Sequence, residues 1–256
     1  MNKSGAIWAK WNPKAYLNDF YSKVEPDEVA TIAFLAKIAK RIPQRQKILE
    51  FGTGPTLHHI FPFIPSASEV HLADFLKPNL EEISRWAHSK KDAHNWDSFI
   101  SYTLRCEGNK NPTLKDIKIR KLETSNKITK YIRADAGQAD PLGKRVRESY
   151  PVVISCYCAD SATDNHYDFK RYVKNIASLT EHGGIFILAC LRKARYYRVG
   201  ALSFPSANVD EHLVRKILNA DFIPKSIKIE VKSLPSHKEQ GYTSIILAYA
   251  TKRKSK

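Results

Sequence analysis

Residues 47–54, KILEFGTG, set the strongest limit on what this chain can fold into. An apolar run of strand type ends there in two glycines one residue apart. Such a turn leaves backbone amides exposed at the carboxyl end of a strand. The next strand-like run, EVHLAD, closes on Asp74, about 20 residues beyond the loop. In open α/β sheets an acid at that place accepts hydrogen bonds from ribose hydroxyls. A G-x-G by itself equally describes a plain strand-to-helix turn, and Asp74 is what sharpens it.

The rest of the chain alternates in the same way. Tyr16 and Phe20, four apart, share one face of an N-terminal helix. Asp27 is placed to cap a helix with Val29, Ile32, Ala36 and Ala39 on one side, ended by Pro43. Helices are predicted over Leu80 to Ser89, Trp96 to Leu104, Tyr167 to Thr180 and near Val209 to Asn219. Strands are predicted over 127–134, 151–158 and 185–191, with two β-rich runs over 226–231 and 243–250. His182-Gly183-Gly184 makes the turn into the 185–191 strand. Residues 106–126 are polar, lysine-rich and unpatterned, and read as a basic surface insertion. Strand–helix alternation implies a doubly wound, mostly parallel sheet. The expected organisation is one domain over 1–256, with a helical cap over 1–45 and a core over 46–251.

The glycine loop also limits the ligand. A dinucleotide fingerprint needs a third glycine, and Leu57 stands there, after Pro55 and Thr56. That leaves less room for a pyrophosphate on a helix amino end. The loop therefore suits a nucleoside cofactor without phosphates, and S-adenosylmethionine is the candidate. Asp135, after the third strand, falls where an acid can accept from an adenine amino group.

Composition excludes several classes. Lys plus Arg is 42 against 26 acids, a formal excess of +16. Residues 105–133 hold nine basic side chains against three acidic, and the chain ends Lys252-Arg253-Lys254-Ser255-Lys256. That charge is either a solvated surface or a nucleic-acid footprint. No RGG run, zinc-finger spacing or RNA-recognition aromatic motif accompanies it, so nucleic acid is not the expected partner. Apolar runs such as Ile185 to Leu191 are far shorter than the ~20 residues of a membrane span. The first twenty residues lack a secretory apolar core. Cys106, Cys156, Cys158 and Cys190 show no disulfide spacing, which predicts a cytoplasmic protein, read as a monomer. Cys156-x-Cys158 without a second Cys or His pair is a poor zinc site, so no metal is expected. His58 and His59 are predicted on a short helix as surface or loop-lining residues.

These motifs together resemble the small-molecule methyltransferases that include the nicotinamide, phenylethanolamine, thioether and indolethylamine enzymes. The resemblance begins with WNPKAYLNDFY (Trp11 to Tyr21) and runs through GTGPT, ADFLKPNL (73–80), CEGN (106–109), ADAGQADPLG (134–143), CYCAD (156–160), GGIFIL, YYRVG (196–200) and Phe204. It implies a Rossmann-like class I methyltransferase fold, α/β with a seven-stranded, mostly parallel sheet, helices on both faces and an N-terminal helical lid. It further implies S-adenosylmethionine as methyl donor, with S-adenosylhomocysteine as product. Tyr16 and Tyr21 resemble lid tyrosines; Gly52, Thr53, Gly54 and Thr56 resemble the groups around the methionyl part. Asp74, Phe75 and Asn79 resemble the ribose and adenine-edge set, and Asp135 and Ala136 the adenine contact. Cys156, Tyr157 and Ala162 lie where that family lines the cofactor at the fourth strand.

The expected reaction is methyl transfer to a small-molecule acceptor, an amine nitrogen. Asp160 is the catalytic candidate, since an acid after an apolar strand needs a partner to justify its burial. Phe20, Asp160, Cys190 and Tyr197 are the acceptor-side candidates. Cys190 stands where nicotinamide-type enzymes carry an acid, and Phe20 where the family has the first tyrosine of its pair. Arg192, Lys193, Arg195 and Arg198 follow the fifth strand, which predicts an acceptor bearing an anion unless those side chains face solvent. The alternatives are an RNA-modifying methyltransferase and a non-catalytic scaffold that retains the cofactor site. Against RNA, CADS (158–161) stands where amino-group nucleic-acid methylases carry an N/D-P-P-Y/F tetrapeptide.

Overall fold

The computed structural model describes residues 7–144 and 148–254. Residues 1–6 of the expected cap, and Ser255 and Lys256 of the basic tail, lie outside them. The apolar runs are the strands: β1 (Gln46–Phe51), β2 (Ala67–Asp74), β3 (Ile128–Arg133), β4 (Tyr150–Cys156) and β5 (Thr180–Leu191). β8 (Lys228–Ser233) and β9 (Ser244–Thr251) complete a sheet of order β3-β2-β1-β4-β5-β9-β8. The first five strands pair parallel, and β9 runs antiparallel to both β5 and β8. In register, Phe51 lies beside Ala73 and Glu50 beside Ile154, so the carboxyl ends of β1, β2 and β4 converge. Order reverses between β1 and β4, the switch point where open α/β sheets place ligands.

Both faces of the sheet are covered, which is why the strands are apolar almost throughout. On one side α6 (His166–Ser178) and α7 (Glu211–Asp221) bury Phe169, Val173, Ile176, Val214 and Leu218. On the other, α2 (Pro26–Ala39) and α4 (Asp97–Glu107) bury Ile32, Leu35, Phe99 and Ile100. α3 (Lys77–Ala87) adds Ile83. α1 (Pro13–Tyr21), capped by Asn12, lies over the carboxyl ends of the strands and buries Leu17, Phe20 and Tyr21.

Several local expectations are revised. Residues 106–126 are not an unpatterned excursion: α5 (Leu114–Lys127) occupies most of that stretch, opened by a Thr113–Asp116 capping box. Its inner face is Ile117, Arg120 and Thr124, and Arg120 is buried with a bidentate bond to Glu107 at 2.8 and 2.7 Å. α2 is capped by Glu25 rather than Asp27, and Val29 points outward. No helix follows the glycine loop; residues 55–60 turn irregularly into a short 3₁₀ segment, Phe61–Ser66. β4 stops at Cys156, and Tyr157 takes φ of +53°. A hairpin, β6 (Tyr196–Val199) and β7 (Leu202–Pro205), follows β5.

The basic tail serves the fold. Lys252 Nζ donates to the carbonyls of Ala177, Ser178 and Thr180 at the end of α6. Arg253 does the same for Asn219 and Phe222 at the end of α7. Cations at helix carboxyl ends satisfy orphan carbonyls and complement the dipole. Among the described residues, no helix is long and apolar enough to cross a membrane.

Candidate functional site

A cavity of about 320 Å³ opens at the switch point. The β1 loop forms its floor. Gly52 has φ of +72°, and a Cβ there would sit 2.0 Å from Cys158 Sγ, so the loop and the residues after β4 approach too closely for any side chain. Gly54, at φ of +59°, has nothing within 4 Å of a built Cβ; conformation rather than room requires it. Its amide donates to Asp74 Oδ2 at 2.8 Å. Asp74 Oδ1 accepts from Leu76 N at 2.7 Å and from Asn79 Nδ2 at 3.0 Å. Burial raises the Asp74 pKa above the ordinary carboxylate value, and these donors oppose the rise. Asn79 Oδ1 in turn accepts from Trp11 Nε1 at 2.7 Å, which ties the N-terminal segment to the acid.

The roof is aromatic. Tyr16 and Tyr21 hydroxyls lie 3.2 Å apart, and Trp8, Trp11 and Tyr197 complete the cover. Trp8 tilts, Trp11 stands edge-on and Tyr197 stacks against Phe204 of β7, at centroid distances of 5.0, 5.3 and 5.5 Å. Gly200 N, at the hairpin turn, donates to Asp19 Oδ2 and fastens α1 to the hairpin. Burial pushes both Tyr16 and Tyr21 phenols up, so they remain O–H donors. Opposite them, Tyr157 occupies a left-handed backbone conformation that costs on the order of 1–3 kcal/mol for a non-glycine residue. Its hydroxyl lies 2.7 Å from Thr31 Oγ1 of α2.

All of the residues that the sequence assigns to the cofactor line this cavity: Tyr16, Tyr21, Gly52, Thr53, Gly54, Thr56, Asp74, Phe75, Asn79, Asp135, Ala136, Cys156, Tyr157 and Ala162. Cys156 and Cys158 are thiols whose pKa burial raises, which makes them poor metal ligands. No cluster of metal-ligating side chains occurs among the described residues.

The acceptor-side expectations fare differently. Phe20 and Tyr197 line a second recess of about 40 Å³, which shares Tyr16, Tyr21, Tyr157, Ser161 and Tyr197 with the larger cavity. Asp160 and Cys190 line neither. Asp160 is fully buried behind the wall, where Oδ2 accepts from Leu191 N at 2.8 Å and Oδ1 has no partner. Burial pushes its pKa up to about 7.

Arg192, Lys193, Arg195 and Arg198 also line neither cavity. Arg192 is paired with Glu211 at 2.7 Å, and Arg198 stacks over Tyr196. The carboxyl groups facing the recess are Asp27 and Glu28, which the sequence did not single out for this role. Asp27 accepts from Tyr242 Oη at 2.8 Å and lies 3.1 Å from His237 Nε2. Burial and the adjacent Asp27 hold the Glu28 pKa well above its ordinary value. His58 and His59, expected on a short helix as surface or loop-lining residues, are both buried outside any helix, and His59 lies in the cavity wall.

A sequence profile of the NNMT/PNMT/TEMT family matches residues 3–253. The chain belongs to this family. Among its relatives, human nicotinamide N-methyltransferase is 26% identical over 206 residues, 77% of this chain and 75% of that protein. Human phenylethanolamine N-methyltransferase is 22% identical, over 94% of this chain and 87% of that one. Among solved structures, the N-methyltransferase NodS of Bradyrhizobium japonicum, in complex with S-adenosylhomocysteine, superposes with a TM-score of 0.58 at 12% identity. That match covers 98% of this chain and 99% of NodS, and it shows the fold. The fold is the Rossmann-like class I methyltransferase fold, and the protein is an S-adenosylmethionine-dependent methyltransferase of the NNMT/PNMT/TEMT family.

The residues present fit that cofactor. A carboxylate offers about four acceptor positions. Asp74 uses three on protein donors, which leaves one for a ribose hydroxyl. Gly54 keeps the floor open, and the paired tyrosine hydroxyls offer donors to a carboxylate.

Proposed function

We propose that the protein transfers a methyl group to the nitrogen of a small, basic amine. The observation that carries this reading is the character of the acceptor recess: two carboxyl groups, Asp27 and Glu28, among tyrosines and Phe20, with no lysine or arginine among the described residues that line either cavity. A cationic wall would favour an anionic acceptor; an acidic one favours a basic nitrogen. Of the relatives, the nicotinamide, phenylethanolamine and indolethylamine N-methyltransferases are all nitrogen-directed by name, and the last two name amines, which supports the same class.

Bound in the cavity, S-adenosylmethionine supplies a methyl group already activated on a sulfonium. The residues of this chain have to hold, orient and dry the acceptor. Tyr16, Tyr21 and Tyr197 close the shared wall, Phe20 closes the recess, and together they exclude water; orientation alone is worth on the order of 7–11 kcal/mol in well-aligned systems. Tyr157, strained and held by Thr31, borders both cavities and fixes one side of the acceptor path. Glu28 and Asp27 hold the nitrogen, and the ionised carboxylate of the pair takes up the proton the nitrogen releases, while Tyr242, already donating to Asp27, orients it. Asp160 acts on that path indirectly, by fixing Leu191, which lines the recess.

The basic charge supports no RNA role in this reading. Arg120, Lys121 and Lys130 are ion-paired, Lys127 donates to Ile64 O, and Lys252 and Arg253 cap helices. The unpaired thiols support a reducing, cytoplasmic setting, and the protein is read as a monomer. Incubation with labelled cofactor against amines, carboxylated amines, thiols and RNA tests the reading. Label in basic amines is expected. Label confined to thiols, carboxylated amines or RNA overturns it.

A further inference from the structure

His59 lies in the cavity wall, and nothing above explains its placement. Its Nδ1 lies 2.8 Å from Glu50 Oε1, and Glu50 Oε2 accepts from Thr53 Oγ1 at 3.1 Å. The Glu50 side chain is 1% exposed and that of His59 is 4% exposed. A carboxylate with both oxygens accepting places the imidazole proton on Nδ1, so in the neutral ring Nε2 is a lone pair on the opposite edge. Nε2 has no partner among the described residues, although the ring forms part of the cavity wall with Thr53, Thr56 and Tyr157. Buried nitrogens of this kind are paired in folded proteins, and an exception calls for a ligand.

We infer that the Glu50–His59 pair receives the α-ammonium group of the cofactor's methionyl end, His59 Nε2 accepting an N–H from it while Glu50 holds the ring in the required tautomer. The inference rests on the cofactor assignment and adds a residue to it. The methionyl end carries an ammonium and a carboxylate, and the cavity offers a match for each. Tyr16 and Tyr21, kept protonated by burial, are donors that suit the carboxylate. Asp74 and Asp135 stand on the ribose and adenine side. The carboxylate-backed lone pair of His59, beside the glycine loop, is a buried acceptor without a partner among the described residues and suits the ammonium. His59 touches the cofactor in this arrangement; Glu50 is a positioning residue.

The test is calorimetry at one fixed pH with three ligands: S-adenosylhomocysteine, its deaminated analogue, and methylthioadenosine, which lacks the amino-acid portion. The wild type is expected to prefer S-adenosylhomocysteine over the deaminated analogue by about tenfold or more, the worth of one charge-assisted hydrogen bond. His59→Leu should abolish that preference and leave methylthioadenosine binding unchanged. Glu50→Gln should abolish it as well, because a glutamine amide can donate to Nδ1 and reverse the tautomer. The ¹⁵N resonance of His59 Nε2 in the wild type should move with S-adenosylhomocysteine and stay with the deaminated analogue. This last measurement decides the matter even where a variant does not fold. A preference retained in His59→Leu, or a resonance that responds alike to both ligands, overturns the inference. Failure of the wild type to bind either S-adenosylhomocysteine or methylthioadenosine would instead refute the cofactor assignment.

Discussion

Replacing Asp74 by Asn changes one charge and one atom, and the structure says what each should cost. Oδ1 serves two donors, Leu76 N and Asn79 Nδ2, and Oδ2 serves Gly54 N. An asparagine oriented to keep the first two turns its NH₂ toward the Gly54 amide, so one bond is lost and one donor is left facing another. That costs roughly 1–3 kcal/mol of stability. Part is returned because the variant no longer buries an anion, the same desolvation that raises the Asp74 pKa. The ribose loses a charge-assisted bond of about 1.5–3 kcal/mol, equivalent to about ten- to 150-fold in affinity. Stability should therefore fall modestly and binding sharply. Calorimetry with S-adenosylhomocysteine and with methylthioadenosine measures the second effect, and thermal melting the first. Because the ribose is common to both ligands, both should weaken by the same factor. Unchanged affinity in a folded variant, or a loss confined to S-adenosylhomocysteine, refutes the assignment of Asp74 to the ribose.

Amides of residues 13–21 should exchange more slowly with S-adenosylhomocysteine than without it, and equal protection in both states would make α1 plain packing. Arg120→Met leaves Glu107 unpaired; because the Glu107 side chain is 23% exposed, the loss in urea unfolding should be about 2–3 kcal/mol, below the roughly 3–5 of a fully buried pair. Adding Glu107→Leu should recover part of it. For His237, burial lowers the pKa, but the Asp27 carboxylate more than offsets this and the net shift is upward from 6.5. Its contribution to stability is then complete below about pH 6.5 and disappears as pH rises through the raised folded value. Melting curves of wild type and His237→Asn should accordingly converge above that window; a gap that widens with pH contradicts the pairing.

The sheet was readable because buried parallel strands are apolar on both sides, as in KILEF and PVVISC. α5 was hidden for the opposite reason. Its inner face holds one aliphatic residue, Ile117, with Arg120 and Thr124, so no apolar stripe marks it. The signal that exposes it is Thr113-x-x-Asp116, a capping pattern readable in the sequence. The β6–β7 hairpin escaped because each strand has only four residues. The cofactor side of the site was legible because its residues follow strand ends at fixed spacings. The acceptor side was not. Asp27 and Glu28 come from α2, Tyr242 from a segment over 200 residues away in sequence, and only tertiary packing brings them to Phe20. The same holds for His59, whose meaning depends on Glu50 across the loop.

The relay from Trp11 through Asn79 to Asp74 makes the order of events a property of the fold. An asparagine amide can present its two ends only one way round. With the indole N–H on Oδ1, the NH₂ is committed to Asp74. Seating the N-terminal segment thus prepares the ribose acid, and by reciprocity the nucleoside strengthens the seating by the same factor. Because the segment also walls the recess through Tyr16, Phe20 and Tyr21, a bound nucleoside firms the acceptor's compartment as well. Turnover should therefore favour a sequence in which the acceptor enters second, its methylated form departs first, and the spent nucleoside is the last to leave.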